Sequence, residues 1–219
     1  MNAQFKPKAN VALVGEIEVR RELAAEGWIT INANTESGNF PNVDLIAVRG
    51  EEARAVQVKT TNGEFGSHSH CLYLGRAEEW LKHKVRFFNR RAGPLQASVV
   101  VLVLAKRRGS RFVVLPVAVA EVIAQSAVER WHVVPKKDGA PRSAGFDARI
   151  PFDRLPRKPR DWDEPLQQIL LAFENRWDVL EAPLEKLHQA TKWGIGSLAL
   201  DPSSNAAARN ASMSDQLGD

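Results

Sequence analysis

Two short apolar stretches stand out along the chain, VDLIAV and ARAVQVKT, split by Arg49-Gly50-Glu51-Glu52. They are rich in Val, Ile, Leu and Ala and bounded by Pro41, Asn42 and Thr61. This pattern predicts two largely buried strands, Asn42–Val48 and Ala53–Thr60, joined by a tight turn. Three polar side chains interrupt the apolar context: Asp44, Gln57 and Lys59. Residues two apart in a strand share a face, so Gln57 and Lys59 point one way and Val56 and Val58 the other. An unpaired charge is costly to bury. These groups are therefore expected to be paired, to ligate a metal or to do chemistry.

The flanking pattern supplies the other elements. Asn10 reads as the cap of a helix running to about Glu26, with Gly27 as its stop. Spacings of three and four place Ala12, Glu16, Val19 and Leu23 in one row, with Leu13, Ile17 and Ala24 beside it. Glu18, Arg21, Glu22 and Ala25 fall on the opposite face. Glu16 is thus expected to point inward and Glu18 into solvent. Trp28–Ala33 alternates as a first strand, and Asn34–Phe40 is a polar loop leading to the Asp44 strand. After Lys59 the segment through His68, His70 and Cys71 reads as a loop beside the cleft. It lacks the second Cys/His pair that a zinc finger needs.

Gly75–Arg91 is a predicted helix with Ala77, Trp80, Leu81, Val85 and Phe88 for the core. Its cations, Lys82 and Arg86 among them, suit either a solvated face or phosphate contact. Ala97–Ala105 reads as a buried strand, Lys106–Ser110 as a basic turn, and Arg111–Leu115 as the hairpin partner. Pro116 stops that strand, and Val117–Ala127 follows as a helix. Trp131–Arg160 is irregular, with a strand or arm around Phe146–Phe152. Glu164 to about Leu187 is a helical region interrupted by Pro183, carrying Ile169, Leu170, Phe173, Trp177 and Leu180 toward the core. The chain from about Gly196 is small and polar, the composition of a disordered tail.

Composition narrows the function classes. A chain of 219 residues with 44% hydrophobic content suits one domain with appendages. The net charge of +4 is compatible with a polyanionic partner without requiring one. The single cysteine, Cys71, excludes an internal disulfide and suits a reducing cytoplasm. The first ten residues lack the apolar stretch of a signal peptide, and the longest apolar run is too short to span a membrane.

An Asp on one strand, a hairpin, and then acid-x-Lys on the next resembles the PD-(D/E)xK nuclease superfamily. Here the pattern is Asp44, Gln57 and Lys59, with Gln57 standing where the family has an acid and Val43 where it often has Pro. The likeness is strongest to the archaeal Holliday-junction-resolvase-like branch and covers roughly residues 9 to 120. The resemblance implies an α/β fold of restriction-endonuclease type: a central mixed β-sheet flanked by helices. It places that core at about 9–127, a C-terminal helical extension at 128–195, and the tail at 196–219. It implies Mg²⁺ (or Mn²⁺) held by Glu16, Asp44, the Gln57 oxygen and the Val58 carbonyl, with Lys59 against the phosphate. It implies DNA as partner, with Thr35, Ser37, Thr60, His68, Lys82 and Arg86 as candidate contacts, and allows a homodimer.

Two functions remain open on these residues. One is an active metal-dependent endonuclease. The other is a module that keeps the fold, has lost catalysis at Gln57, and binds nucleic acid or a protein. Both require Glu16, Asp44, Gln57 and Lys59 to meet in one cleft, and a Glu16 on the far side of the domain from Asp44 would end the nuclease reading.

Overall fold

A glycine ends the first helix, α1 (Lys8–Ala25), in the manner the sequence leads one to expect. Gly27 adopts φ +80°, its N–H donates to the Ala24 carbonyl, and the Trp28 N–H reaches back to Leu23. That bond pair is a Schellman cap, and Trp28 and Leu23 supply the buried apolar contact that accompanies it. The computed structural model describes residues 8–33, 43–62, 69–72, 97–105, 109–123, 148–151 and 163–195. The helix begins at Lys8, so Asn10 lies inside it rather than at its cap.

The two apolar stretches form the expected hairpin, β2 (Leu45–Arg49) and β3 (Glu52–Asn62). Arg49 pairs with Glu52, and Gly50 has φ +60°, the sign that two-residue hairpin turns need. β1 (Ile29–Asn32) pairs antiparallel with β2. β4 (Ser69–Leu72) lies elsewhere, and β5 (Val99–Ala105) runs parallel to β3 and antiparallel to β6 (Arg111–Pro116). The result is a five-stranded mixed sheet in the order β1-β2-β3-β5-β6, flanked by helices. β5 is apolar along its length and buried from Val99 to Leu104, as a central strand covered on both faces should be. A helical segment α2 follows at 117–123.

Register sorts the sheet into two faces. Thr30, Ala47, Arg54, Val56, Val58, Thr60 and Phe112 share one. α1 lies on that face through Val19 and Leu23. The C-terminal segment joins it: Trp177 packs on Phe112 at a centroid distance of 5.4 Å, and Arg54 donates to the Leu180 and Ala182 carbonyls at 2.8 and 3.0 Å. α3 (Asp163–Ala172), a 3₁₀ turn (Trp177–Glu181) and α4 (Leu184–Leu187) replace the helical run expected from Glu164. The expected core residues there, Ile169, Leu170, Phe173, Trp177 and Leu180, are all buried. Phe173 and Asn175 also bond along the outer edge of β6.

Three sequence expectations are corrected. The loop expected through His70 and Cys71 contains β4, which pairs antiparallel with β7 (Ala148–Pro151) as a separate two-stranded sheet. On α1 the inward stripe runs through Val11, Gly15, Val19 and Leu23, leaving Leu13 and Ile17 each 54% exposed. Glu18 sits at the margin of that stripe, half-buried, with Oε2 covered, rather than in open solvent. The reason is Gly15. A Cβ built there would stand 1.8 Å from Thr60 Oγ1, so the helix has rolled to set its smallest residue on the strand. β1 likewise turns Ile29 and Ile31 outward and Thr30 toward α1. Among the described residues no helix is long and apolar enough to cross a membrane. The helix expected at Gly75–Arg91 and the tail from Gly196 lie outside the described residues.

Gly15→Ala should therefore force α1 off β3. Overpacking of this kind costs about 1–3 kcal/mol, and each kcal/mol lowers Tm by roughly 2–4 °C at this chain length. Adding Thr60→Ala, which removes two of the three colliding atoms, should recover part of the loss. Thermal melts of both variants check this, and an unchanged Tm for Gly15→Ala would show that the helix does not rest on Thr60.

Candidate active site at the sheet fork

The site begins where β2 leaves β3. Pairing of the two strands ends at Leu45↔Val56, and the Asp44 N–H still reaches the Val56 carbonyl at 2.9 Å. Beyond that point β3 keeps β5 on one side only. The Val58 N–H, on the open side, donates to Asp44 Oδ2 at 2.7 Å. The side chain of Asp44 thus replaces the strand partner that β3 has just lost. The N–H and C=O of one strand residue point to the same side, so the Val58 carbonyl also faces the fork.

Alternation then assembles the rest. Leu45 shares the face of Val56, which leaves Asp44 on the face of Gln57 and Lys59. Asp44 and Lys59 are half-buried, while Gln57 is 3% exposed. Its Oε1 is buried and has no hydrogen-bond partner among the described residues. Glu16 comes from α1, one residue past the contact of Gly15 with Thr60. Its carboxyl is pushed above the ordinary value of 4.5, first by burial and then by the negative charge of Asp44. Lys59 and Arg20 oppose that shift. The Glu16 carboxyl is therefore within electrostatic reach of both Asp44 and Lys59.

The donor set at the fork consists of oxygen: two carboxylates, an amide oxygen and a backbone carbonyl. Hard divalent cations such as Mg²⁺ take such ligands. The orphaned Gln57 Oε1 is a further sign of fit, because a cation would supply the partner it lacks. Among the described residues no group of three or more His, Cys, Asp and Glu is placed to hold a metal ion. The amide and carbonyl oxygens would thus have to complete the set begun by Glu16 and Asp44.

Of the expected nucleic-acid contacts, Thr35, Ser37, His68, Lys82 and Arg86 lie outside the described residues. Thr60 is described, and its side chain packs under Gly15 on the α1 face, away from Gln57 and Lys59. Sequence reasoning passed over Arg20 and Thr30. Arg20 follows Glu16 by one helical turn, and its Nε donates to Thr30 Oγ1 at 3.2 Å. The four-residue spacing was the available signal. Comparison of the chain with protein-family models, with curated proteins and with solved structures finds no match.

Glu16 carries a pH dependence whose sign follows from its surroundings. Its raised pKa means that the folded state holds the proton more tightly than the unfolded chain. Relative to a neutral side chain, stability is intact below the ordinary value and is lost as pH rises through the raised one. Glu16→Gln should therefore raise Tm at about pH 8 in EDTA, and the gain should vanish toward about pH 4. Melts across that range test it, and a variant less stable than wild type at the alkaline end would contradict it.

Proposed function

We propose that the chain is a Mg²⁺-dependent endodeoxyribonuclease, with a PD-(D/E)xK-type site on a restriction-endonuclease-like core. The observation that carries this reading is the fork itself. Asp44 is locked onto the Val58 N–H, Gln57 and Lys59 share its face, and Glu16 is coupled to both charges. Phosphodiester hydrolysis needs negative charge neutralised at the phosphate and a water held in line with the leaving oxygen.

When bound, Mg²⁺ or Mn²⁺ supplies Lewis-acid polarisation of the phosphate. Glu16, Asp44, the Gln57 oxygen and the Val58 carbonyl are the groups that would hold it. Lys59 presents its ammonium to a phosphate oxygen and to the attacking water, where charge develops in the transition state. The half-buried setting of Lys59 strengthens that interaction relative to open solvent.

Gln57 supports a second reading. It is neutral and almost fully buried at the position where an acid would add charge. On that reading the chain keeps the fold, binds nucleic acid or a protein partner, and does not cut.

Cleavage of plasmid and branched DNA, titrated with Mg²⁺ and Mn²⁺, separates the two. An active enzyme should lose at least ~100-fold in rate with Lys59→Ala. Gln57→Glu should lower the half-maximal Mg²⁺ concentration about tenfold, equivalent to ~1.4 kcal/mol, and Gln57→Ala should raise it. An unchanged metal dependence in both variants removes Gln57 from the metal site. A wild type that is inert beside a Gln57→Glu variant that cuts establishes the second reading.

A further inference from the structure

The inference concerns Arg20 and rests on the nuclease reading of the neighbouring site. Every other arginine whose side chain is described is ion-paired with a carboxylate. Arg20 is the exception. Its one hydrogen bond among the described residues runs from Nε to the neutral Thr30 hydroxyl. That bond fixes the guanidinium by one nitrogen, and among the described residues neither terminal nitrogen has a hydrogen-bond partner. The residue is exposed, and it stands one turn of α1 beyond Glu16 on the side facing β1.

Charge gives this placement a purpose. A polyanion approaching the fork meets Glu16 and Asp44, both acidic. Among the described residues, the cations that act on the Glu16 carboxyl are Lys59 and Arg20. Lys59 lies with Asp44 and Gln57, at the reacting phosphate. Arg20 lies one turn along α1 from Glu16, bonded to Thr30 of β1. A guanidinium held at Nε presents its two outer N–H groups as a planar fork, the geometry that matches two oxygens of one phosphate. We propose that Arg20, held in place by Thr30, grips a phosphodiester of the nucleic-acid strand flanking the one at Lys59. It is a substrate-binding residue for the backbone and reads no base.

The adjacent Arg21 provides the control. It has the same charge, is ion-paired with Glu22 at 3.0 Å, and lies on the outer face of α1. Binding of a short labelled DNA duplex to the full chain is measured in EDTA across about 50–200 mM salt. Arg20→Gln should weaken binding about tenfold and lower the slope of log affinity against log salt by about 0.9, the signature of one lost phosphate contact. Arg20→Lys should restore part of the affinity, because it returns the charge without the fork. Thr30→Val should weaken binding less than Arg20→Gln, and Arg21→Gln should change it less than about twofold, with melting temperatures of all variants near wild type. Equal losses for Arg20→Gln and Arg21→Gln would show a general field and overturn the contact. So would an unchanged slope for Arg20→Gln in a wild type that binds and cuts DNA, which leaves the nuclease reading standing. A wild type that neither binds nor cuts DNA overturns both.

Discussion

The bond from the Val58 N–H to Asp44 Oδ2 is the interaction on which the site depends. A cleft between two strands of one sheet can open only if the strands part, and parting strips backbone groups of their partners. Leaving a buried N–H unpaired costs about 1–3 kcal/mol. Asp44 removes that penalty at the first position where it arises, with a charge-assisted bond. The same bond fixes the carboxylate at the open edge, beside the Val58 carbonyl and on the face of Gln57 and Lys59. Fold and candidate site therefore share one residue: without Asp44 the fork would lose its backbone partner and its carboxylate together.

A fork of this kind must be braced, because past Val58 β5 is the one strand paired with β3 among the described residues. Two devices do so from the same side of the sheet. Near the open end, Gly15 lets α1 come down onto Thr60 without a side chain between them. This close approach carries Glu16 to the edge of the strand. Near the hairpin, the buried Arg54 binds the carbonyls of Leu180 and Ala182 and its own neighbour Ala53, with Glu52 balancing its charge. A buried guanidinium is tolerable only when its donors are satisfied in this way. The C-terminal segment is thereby tied to the strand that carries Gln57 and Lys59, which makes the base of the site rigid.

Much of this was legible in the chain, for identifiable reasons. Asp44, Gln57 and Lys59 stood out because a period of two in an apolar context admits few interpretations. Glu16 could be placed because it falls in register with Val19 and Leu23. The neighbouring row could not, because hydrophobic periodicity weights Leu13 and Ile17 over Gly15, whereas close packing prefers the residue with no side chain. The same weighting hid the orientation of β1, whose isoleucines face out while Thr30 faces the helix. Partnerships distant in sequence left no local trace. Arg54 looks like a surface arginine until the carbonyls more than a hundred residues away are seen. The pairing of His70 with Ile150 is equally silent in the pattern around each residue.

The glutamine at 57 is then best understood through the charges already present. Glu16 is pushed upward first by burial and then by Asp44, with Lys59 and Arg20 opposing the shift. A third carboxylate, placed where Gln57 is almost fully buried, would add both desolvation and repulsion, with Lys59 the cation on the same face. The amide keeps an oxygen at that position while sparing the fold this cost. Its Oε1 is left without a partner, which is a smaller penalty than an unpaired buried charge. On the proposed reading, a cation at the fork would have one anionic ligand fewer and would rely more on the Val58 carbonyl and on Asp44. On that reading, the glutamine would favour the stability of the fold over tight metal binding. Such a compromise is expected where function concentrates like charges in a partly buried cleft.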